Sequence, residues 1–259
     1  GIFMRHPSGF EYLPVRKEDT LLNVSGFFKD SNGQFYLGTD YSLFSFDPDN
    51  FSYDLLPNTS NDMVMKRIIA SRIVSVEEDS INGKPALLVS PYGHYIAYYD
   101  LTSKRWISRG DSINQIISRF NLADNLIHKI YKDPKKRLWL ATAKNGLAQW
   151  DRFSKQYRYH INDPSNPYSI SNNHVYDMAA GAGGGLWVST FGGGLNHFDP
   201  ALNRFTYISN TPNLLEGICT DHNQRVWMIG NGQLHQYDPK EKQTRTYTFE
   251  EIESAGGVK

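Results

Sequence analysis

The side chains able to do chemistry in this 259-residue chain are numerous, and their spacing decides which chemistry is open to them. Eight histidines stand at His6, His94, His128, His160, His174, His197, His222 and His235. None belongs to an HExxH pair, and the single cysteine, Cys219, cannot complete a Cys/His ligand set. No metal site and no cofactor are expected, and the histidines read as structural or surface groups. Carboxylates recur at fixed places instead. Asp30, Asp79, Asp133 and Asp221 each start a turn, and Asp47, Asp151, Asp199 and Asp238 each close an apolar run. Asp in such places accepts bonds from backbone N–H groups and fixes the turn. Cleavage of a glycoside needs two carboxyls converging across a sugar ring, which linear spacing neither supplies nor excludes. No catalytic residue is assigned. The glycine runs 181–185 and 192–194 are followed by no Lys-Ser/Thr and no helix signal, so they are turn residues with positive φ rather than a phosphate loop.

A second set of residues fits recognition. Asp40, Tyr41, Tyr92, His94, Arg119, Lys144, Asn145, Tyr168, Asn172, Phe191 and Asn231 lie in polar stretches between apolar runs. An aromatic face covers the C–H patch of a sugar ring, and planar polar groups bond its hydroxyls. The set contains both, and these are the candidate ligand residues.

What must position them is a repeated unit. Residues 177–207 read as short runs of β-branched and aromatic residues, punctuated by Gly, Asp-Pro and Asn, which is a hairpin signature. The same order recurs over 133–159, 221–247 and 30–53, and most weakly over 79–106. The anchor residue of the second run falls at Tyr36, Leu88, Trp139, Trp187 and Trp227, in steps of 52, 51, 48 and 40 residues. Periods of this length with several strands each define propellers. The fold class expected is all-β, a β-propeller of four-stranded antiparallel blades. About five blades are complete, in repeats near 23–57, 72–108, 126–161, 174–209 and 215–249. In the last, strands are expected at Gly217–Thr220, Val226–Ile229, Gln233–Tyr237 and Thr244–Thr248. Residues 1–12 match two outer strands of an unfinished blade, 13–22 a charged link, 58–69 a link with a helical turn, and 110–124 a partly helical stretch. The reading is of a fragment of a larger propeller. Repeat Tyr36, Trp139, Trp187 and Trp227 are expected in the core between blades, and Cys219 as a small buried hydrophobe.

The length differences are concentrated. From anchor to third-strand Asp the distance is 11 or 12 residues, whereas from that Asp to the next first turn it is 32, 33, 30 and 22. The variable links and the loops after the second strands lie on one face of a propeller, where loops on a rigid scaffold carry either binding or tolerated insertion. Formal charge is zero and no basic stripe is visible, so no nucleic-acid partner is expected. No run of 18 apolar residues occurs, and no direct membrane contact is expected of this stretch. Asn23 and Asn58 sit in short sequons of the glycosylation type.

The repeats resemble the two-component regulator propeller family. The residues that carry this are Tyr168-Ser169-Ile170-Ser171-Asn172-Asn173-His174-Val175, then Gly185-Leu186-Trp187-Val188-Ser189-Thr190, Gly193-Gly194-Leu195 and Phe198-Asp199-Pro200. The lead returns as Leu122-Ala123-Asp124-Asn125, and Gly181 departs from the pattern where the turn Asp belongs. The resemblance implies the periplasmic part of a hybrid two-component sensor of Bacteroides-type bacteria. Its parent would be anchored in the inner membrane and homodimeric, and would signal to a histidine kinase not contained here. The ligand implied is an oligosaccharide released from glycans, and the output is control of polysaccharide-utilisation genes. Two other readings stay open: a propeller hydrolase or lyase acting on polysaccharide, and a protein-docking scaffold.

Overall fold

In the computed structural model, residues 1–6, 9–59, 63–81, 83–94, 96–107, 126–151, 154 and 156–248 are described. The expected helical stretch at 110–124 lies outside them. The chain divides into two compact units, 1–130 and 131–259.

In the first unit, β1 (Ile2–His6) pairs with β2 (Gly9–Leu13), and β3 (Arg16–Lys17) with β4 (Thr20–Leu21). The charged link at 13–22 thus contains a small hairpin. Two four-stranded sheets follow in simple up-and-down order. One is β5 (Val24–Lys29), β6 (Phe35–Thr39), β7 (Leu43–Asp47) and β8 (Ser52–Leu55). The other is β9 (Ile73–Ile81), β10 (Lys84–Pro91), β11 (Ala97–Asp100) and β12 (Arg105–Trp106). Between them lies the helix α1 (Met63–Ile69), whose Met65, Ile68 and Ile69 are buried.

Three more such sheets follow. They are β13 (Ile127–Lys132) to β16 (Gln156–His160), through β14 (Leu138–Thr142) and β15 (Leu147–Asp151); β17 (Val175–Ala180), β18 (Leu186–Thr190), β19 (Gly194–Asp199) and β20 (Arg204–Ile208); and β21 (Gly217–Thr220), β22 (Val226–Gly230), β23 (Gln233–Asp238) and β24 (Gln243–Tyr247). The strands of the last sheet agree with expectation within a residue or so at each end.

Packing explains the repeated residues. Trp139 is 0% exposed and shares a core with Leu186 and Val188, alternate residues of the next sheet's second strand. Phe198, just before that sheet's Asp199, meets Trp139 edge-on at 5.4 Å. Trp187 repeats this with Val226 and Met228, and with Tyr237 edge-on at 5.7 Å. In the first unit Tyr36 shares its core with Leu87, Val89 and Tyr99. Tyr36, Trp139 and Trp187 therefore face the following sheet, and the aromatic-Asp motif supplies the ring that closes over each. Alternation places these residues on one side of a strand. Trp227 departs from expectation: no further sheet follows among the described residues, and it is only half-buried, against Tyr247 at 5.3 Å.

The turn carboxylates hold the anchors. Asp133 accepts from Arg137 N and Nε, at 2.9 and 2.6 Å, and from Trp139 Nε1 at 3.0 Å. Asp221 does the same for Arg225 and Trp227. Partial desolvation opposes its charge, but the bonds from Trp227 and Arg225 outweigh this and lower its pKa to about 2. Asp30 accepts from Tyr36 Oη at 3.2 Å, and burial first, then this carboxylate, drives the Tyr36 phenol far above its ordinary value. In the fourth sheet Gly181 stands here, and a Cβ on it would lie 3.1 Å from the carbonyl of Gly185 and 3.3 Å from His197 Nε2. His197 packs against Trp187 with centroids 4.5 Å apart and the rings tilted by 50°, and burial lowers its pKa.

Two expectations need correction. Asp79 does not start a turn. It lies inside the nine-residue β9, paired with Ala86; the pairing runs on to Ile81 and Lys84, and Gly83, just before β10, has φ +77°. Cys219 is exposed rather than buried, because it sits opposite Trp227 on the same uncovered side of the last sheet.

Gly146 occupies a turn at φ +70°, and a Cβ there would stand 2.1 Å from the carbonyl oxygen of His160. Gly146→Ala is expected to destabilise the chain by about 2 kcal/mol, combining left-handed strain with a backbone clash. A shift in the chemical-denaturation midpoint checks this.

Candidate functional site

Within each unit, the links between sheets are stitched to the loops that follow the second strands. In the second unit the carbonyl of Asn173 accepts from Gly146 N at 2.9 Å, and that of His174 from Phe191 N at 2.8 Å. One link thereby grips the loops of two successive sheets. The carbonyl of Asn213 accepts from Gly192 N and Gly194 N, at 2.9 and 3.0 Å, and Phe191 bridges to Leu214. Phe191 is held between two links and remains 45% exposed. Its ring lies 5.1 Å from His174 at 31°, and His174 lies 6.3 Å from Tyr176, also at 31°. Asn172 turns its Oδ1 to His174 N at 2.8 Å, while its Nδ2 lies beside Gly192. The result is a tilted row of three rings bordered by an amide.

The link is rigid for a visible reason. Buried Asn196 exchanges bonds with Ser171, through Ser171 N at 3.1 Å and Ser171 Oγ at 2.7 Å, and Ser171 Oγ donates to Gly193 O at 2.6 Å. Asn162 closes the loop's ends with Asn173 Oδ1 at 2.7 Å, and Ile170 is fully buried beneath it. Loops of this compact form, packed on their own side chains, are often functional.

The structure gathers some of the expected residues and separates others. Asn145, Asn172 and Phe191 belong to the stitched segments just described. Lys144 and Asn231 are exposed on turns, Asn231 at φ +53°. Tyr168 is displaced: its carbonyl accepts from Phe205 N in the fourth strand, and Arg204 lies 5.3 Å over its ring. In the first unit Asp40 is engaged by Asn23 through two bonds, at 3.2 and 3.1 Å, which also ties up the amide of that sequon. Tyr41 lies under Lys17 Nζ at 3.7 Å, and its bond holds the Lys17 pKa above the ordinary value. Tyr92 is 50% exposed, with its N–H on Arg72 O, and His94 N closes a turn on Pro91 O. Arg119 lies outside the described residues.

Sequence reasoning did not single out Tyr176, Asn196 or Ser171, nor place His174 beside Phe191. For Asn196 a signal existed: a polar residue in an otherwise apolar alternation, Leu195-Asn196-His197-Phe198. Chemically, the row can cover the apolar face of a ring and bond a hydroxyl at its edge. Among the described residues, no group of three or more His, Cys, Asp or Glu is placed to hold a metal ion.

The sheets and their packing define a β-propeller class of protein. The resemblance read from the repeats holds: residues 121–144 match the family described as Two component regulator propeller. That segment starts at the second lead and runs through Trp139, not at the 168–200 stretch that carried the resemblance. Among solved structures, the chain is similar to the extracellular domain of BT3049 from B. thetaiotaomicron, described as a hybrid two component system. Identity is 18%, the TM-score is 0.70, and the likeness covers 92% of this chain and 31% of that one. The corresponding domain of BT4673 gives 20% identity and a TM-score of 0.65, over 90% of this chain and 28% of that one. Virginiamycin B lyase from Staphylococcus aureus is also similar, at 10% identity and a TM-score of 0.56, over 87% and 69% of the two chains. At such identities the likeness establishes the fold. The chain spans about a third of the length of the two extracellular domains. The comparison with curated proteins returned no match.

Proposed function

We propose that this chain is part of the periplasmic sensor region of a hybrid two-component system, and that its loop face takes an oligosaccharide derived from a glycan. The observation that carries this is the row of exposed Phe191 and half-buried His174 and Tyr176, with Asn172 at its border, built on links braced between adjacent sheets. Supporting it are the family match at 121–144 and the likeness in fold to extracellular domains described as two-component systems. Binding would favour one arrangement of a dimer of the parent protein, and that bias would reach a kinase across the membrane.

The test is isothermal titration of the chain against a panel of glycan oligosaccharides, with sugar analysis of the mixture afterwards. The expected result is saturable binding without consumption, and at least a tenfold loss of affinity in Phe191→Ala with the denaturation midpoint unchanged. Consumption of a sugar would transfer the reading to a hydrolase or lyase. Binding untouched by Phe191→Ala would remove this row from the site.

A further inference from the structure

We propose that the first turn of the fourth sheet, residues 181–185 with Trp187 and His197, binds the carboxylate of an acidic ligand, in the place that an aspartate of the chain itself takes in other sheets. Four of the five anchors carry a polar hydrogen. Three of them give it to the turn aspartate of their own sheet: Tyr36 Oη to Asp30 at 3.2 Å, Trp139 Nε1 to Asp133 at 3.0 Å and Trp227 Nε1 to Asp221 at 3.1 Å. Leu88 has nothing to donate. Trp187 is the exception. It is 6% exposed, its turn has Gly181 where the aspartate belongs, and among the described residues its Nε1 has no hydrogen-bond partner. An indole N–H so enclosed normally has one. Its Nε1 is not sealed from solvent, so a partner can arrive from outside.

Two further donors border the same place. In the first and fifth sheets the carboxylate accepts a backbone N–H two residues into the turn, Asn32 N at 3.0 Å and Asn223 N at 2.9 Å. The corresponding N–H belongs to Gly183. The N–H four residues on, which also serves the carboxylate elsewhere, donates here to Ala182 O, from Gly185 N at 3.1 Å. The other donor is His197. Its Nε2 lies 3.3 Å from where a Cβ on Gly181 would stand, the root of the aspartate side chain elsewhere, and has no hydrogen-bond partner among the described residues. In the third sheet a guanidinium plays this part, with Arg137 5.4 Å over the Trp139 ring and its Nε on Asp133. In the fourth, Gly185 stands where Arg137 does, and the ring against Trp187 is His197. With its proton on Nε2, His197 replaces the arginine as donor. The ligand group is planar, because Asp221 uses both oxygens: Oδ1 takes backbone N–H groups and Oδ2 the indole and guanidinium. Access is open, since no side chain of the turn is larger than a methyl, and a Cβ on Gly183 or Gly184 would meet nothing within 4 Å. Asp199, whose charge acts on His197, is engaged by Ala201 N and Leu202 N at 2.8 and 3.2 Å. The turn lies at the opposite end of β18 from Phe191, so this site is separate from the ring row.

The experiment is a titration of the nitrogen-15-labelled chain with sodium acetate and with sodium glucuronate at fixed ionic strength, following the assigned indole N–H signals. The expected result is a saturable downfield shift of the Trp187 signal with both carboxylates and none with chloride. Shifts equal to those in chloride, or confined to other indoles, would overturn the proposal. Saturation by acetate with glucuronate silent would support the site and put its carboxylate on an open chain rather than a sugar ring. Gly181→Asp, at a backbone position with φ −107°, returns the carboxylate to the chain. Its Trp187 signal is expected downfield of the parent's from the start, with acetate bound at least tenfold more weakly. A Gly181→Asp chain that unfolds cooperatively yet binds acetate as the parent does would overturn the proposal. His197→Phe keeps a ring against the indole and is expected to weaken acetate at least tenfold; unchanged affinity there would strike His197 from the site. Phe191→Ala is expected to leave acetate binding as it is, so this site and the sugar-binding row stand or fall separately.

Discussion

Trp139→Ala will lower the unfolding free energy by about 4 kcal/mol, the high range for loss of a fully buried aromatic. Three losses combine. The indole is 0% exposed and is closed over by Phe198 of the next sheet at 5.4 Å. It stacks with His160 at 5.8 Å within its own sheet. Its Nε1 is a partner of Asp133, a carboxylate only 4% exposed, which the substitution leaves with one donor fewer. Trp227→Ala is the control, because the same indole-carboxylate bond is made there on an uncovered side. It is expected to cost no more than about half as much, since less apolar area returns to water. Urea denaturation of both variants checks this. Equal losses would mean that the anchors act through their hydrogen bonds alone and that contact with the next sheet adds nothing.

Acid will unfold the chain earlier than its carboxylates require, and His160 is the reason. Its ring is enclosed by Trp139, Phe198 and Phe205, with centroids 5.8, 5.0 and 5.5 Å away, and Nε2 has no hydrogen-bond partner. Burial, and secondarily Arg158, depresses its pKa from 6.5 to about 4. Between those values the unfolded chain binds a proton that the folded chain does not. Stability is therefore full above the unfolded pKa and falls as pH drops from about 6.5 toward 4, by about 3 kcal/mol in all. His197, lowered by burial against Trp187, acts in the same direction. Ile208 and Tyr247 hold in the fourth and fifth sheets the position His160 holds in the third, and in the first sheet Leu56, just past β8, donates its N–H to Leu43 O. His160→Leu should thus fold, gain stability and flatten the dependence between pH 6.5 and 4.5. Denaturation midpoints at the two pH values measure it. An unchanged pH slope in the variant would assign the acid sensitivity to other groups.

The candidate ligand residues were partly legible. Phe191, Asn145 and Asn172 could be placed on loops because Gly clusters and Asn interrupt the strand pattern at those points. The pairing of Phe191 with His174 could not, because it depends on Phe191 N reaching the carbonyl of His174 across 17 residues of chain. Tyr168 illustrates the opposite error. Its polar surroundings read as loop face, yet its carbonyl caps Phe205 in the fourth strand, a bond no linear pattern announces.

By itself the sequence determined the blade unit, its repetition and most strand positions. Two-residue alternation, Gly and Asp punctuation, and an apolar anchor 11 or 12 residues before the third-strand Asp are local signals, and local sterics and turn bonding suffice to read them. It also determined that Asp30, Asp133 and Asp221 are structural. Only the tertiary structure decided which side of each strand is covered, and by what. Trp139 and Trp227 occupy the same place in the repeat, yet one is sealed and the other half-buried, because burial depends on the neighbouring sheet. Cys219 came out exposed for that reason. Asp79 was misread because the second sheet's strands run longer before turning, and Gly83, not an Asp, sets its turn. His160 and His197 look alike in sequence. What gives each its lowered pKa is the set of rings brought around it by packing, which is a property of distances between sheets rather than of spacing along the chain.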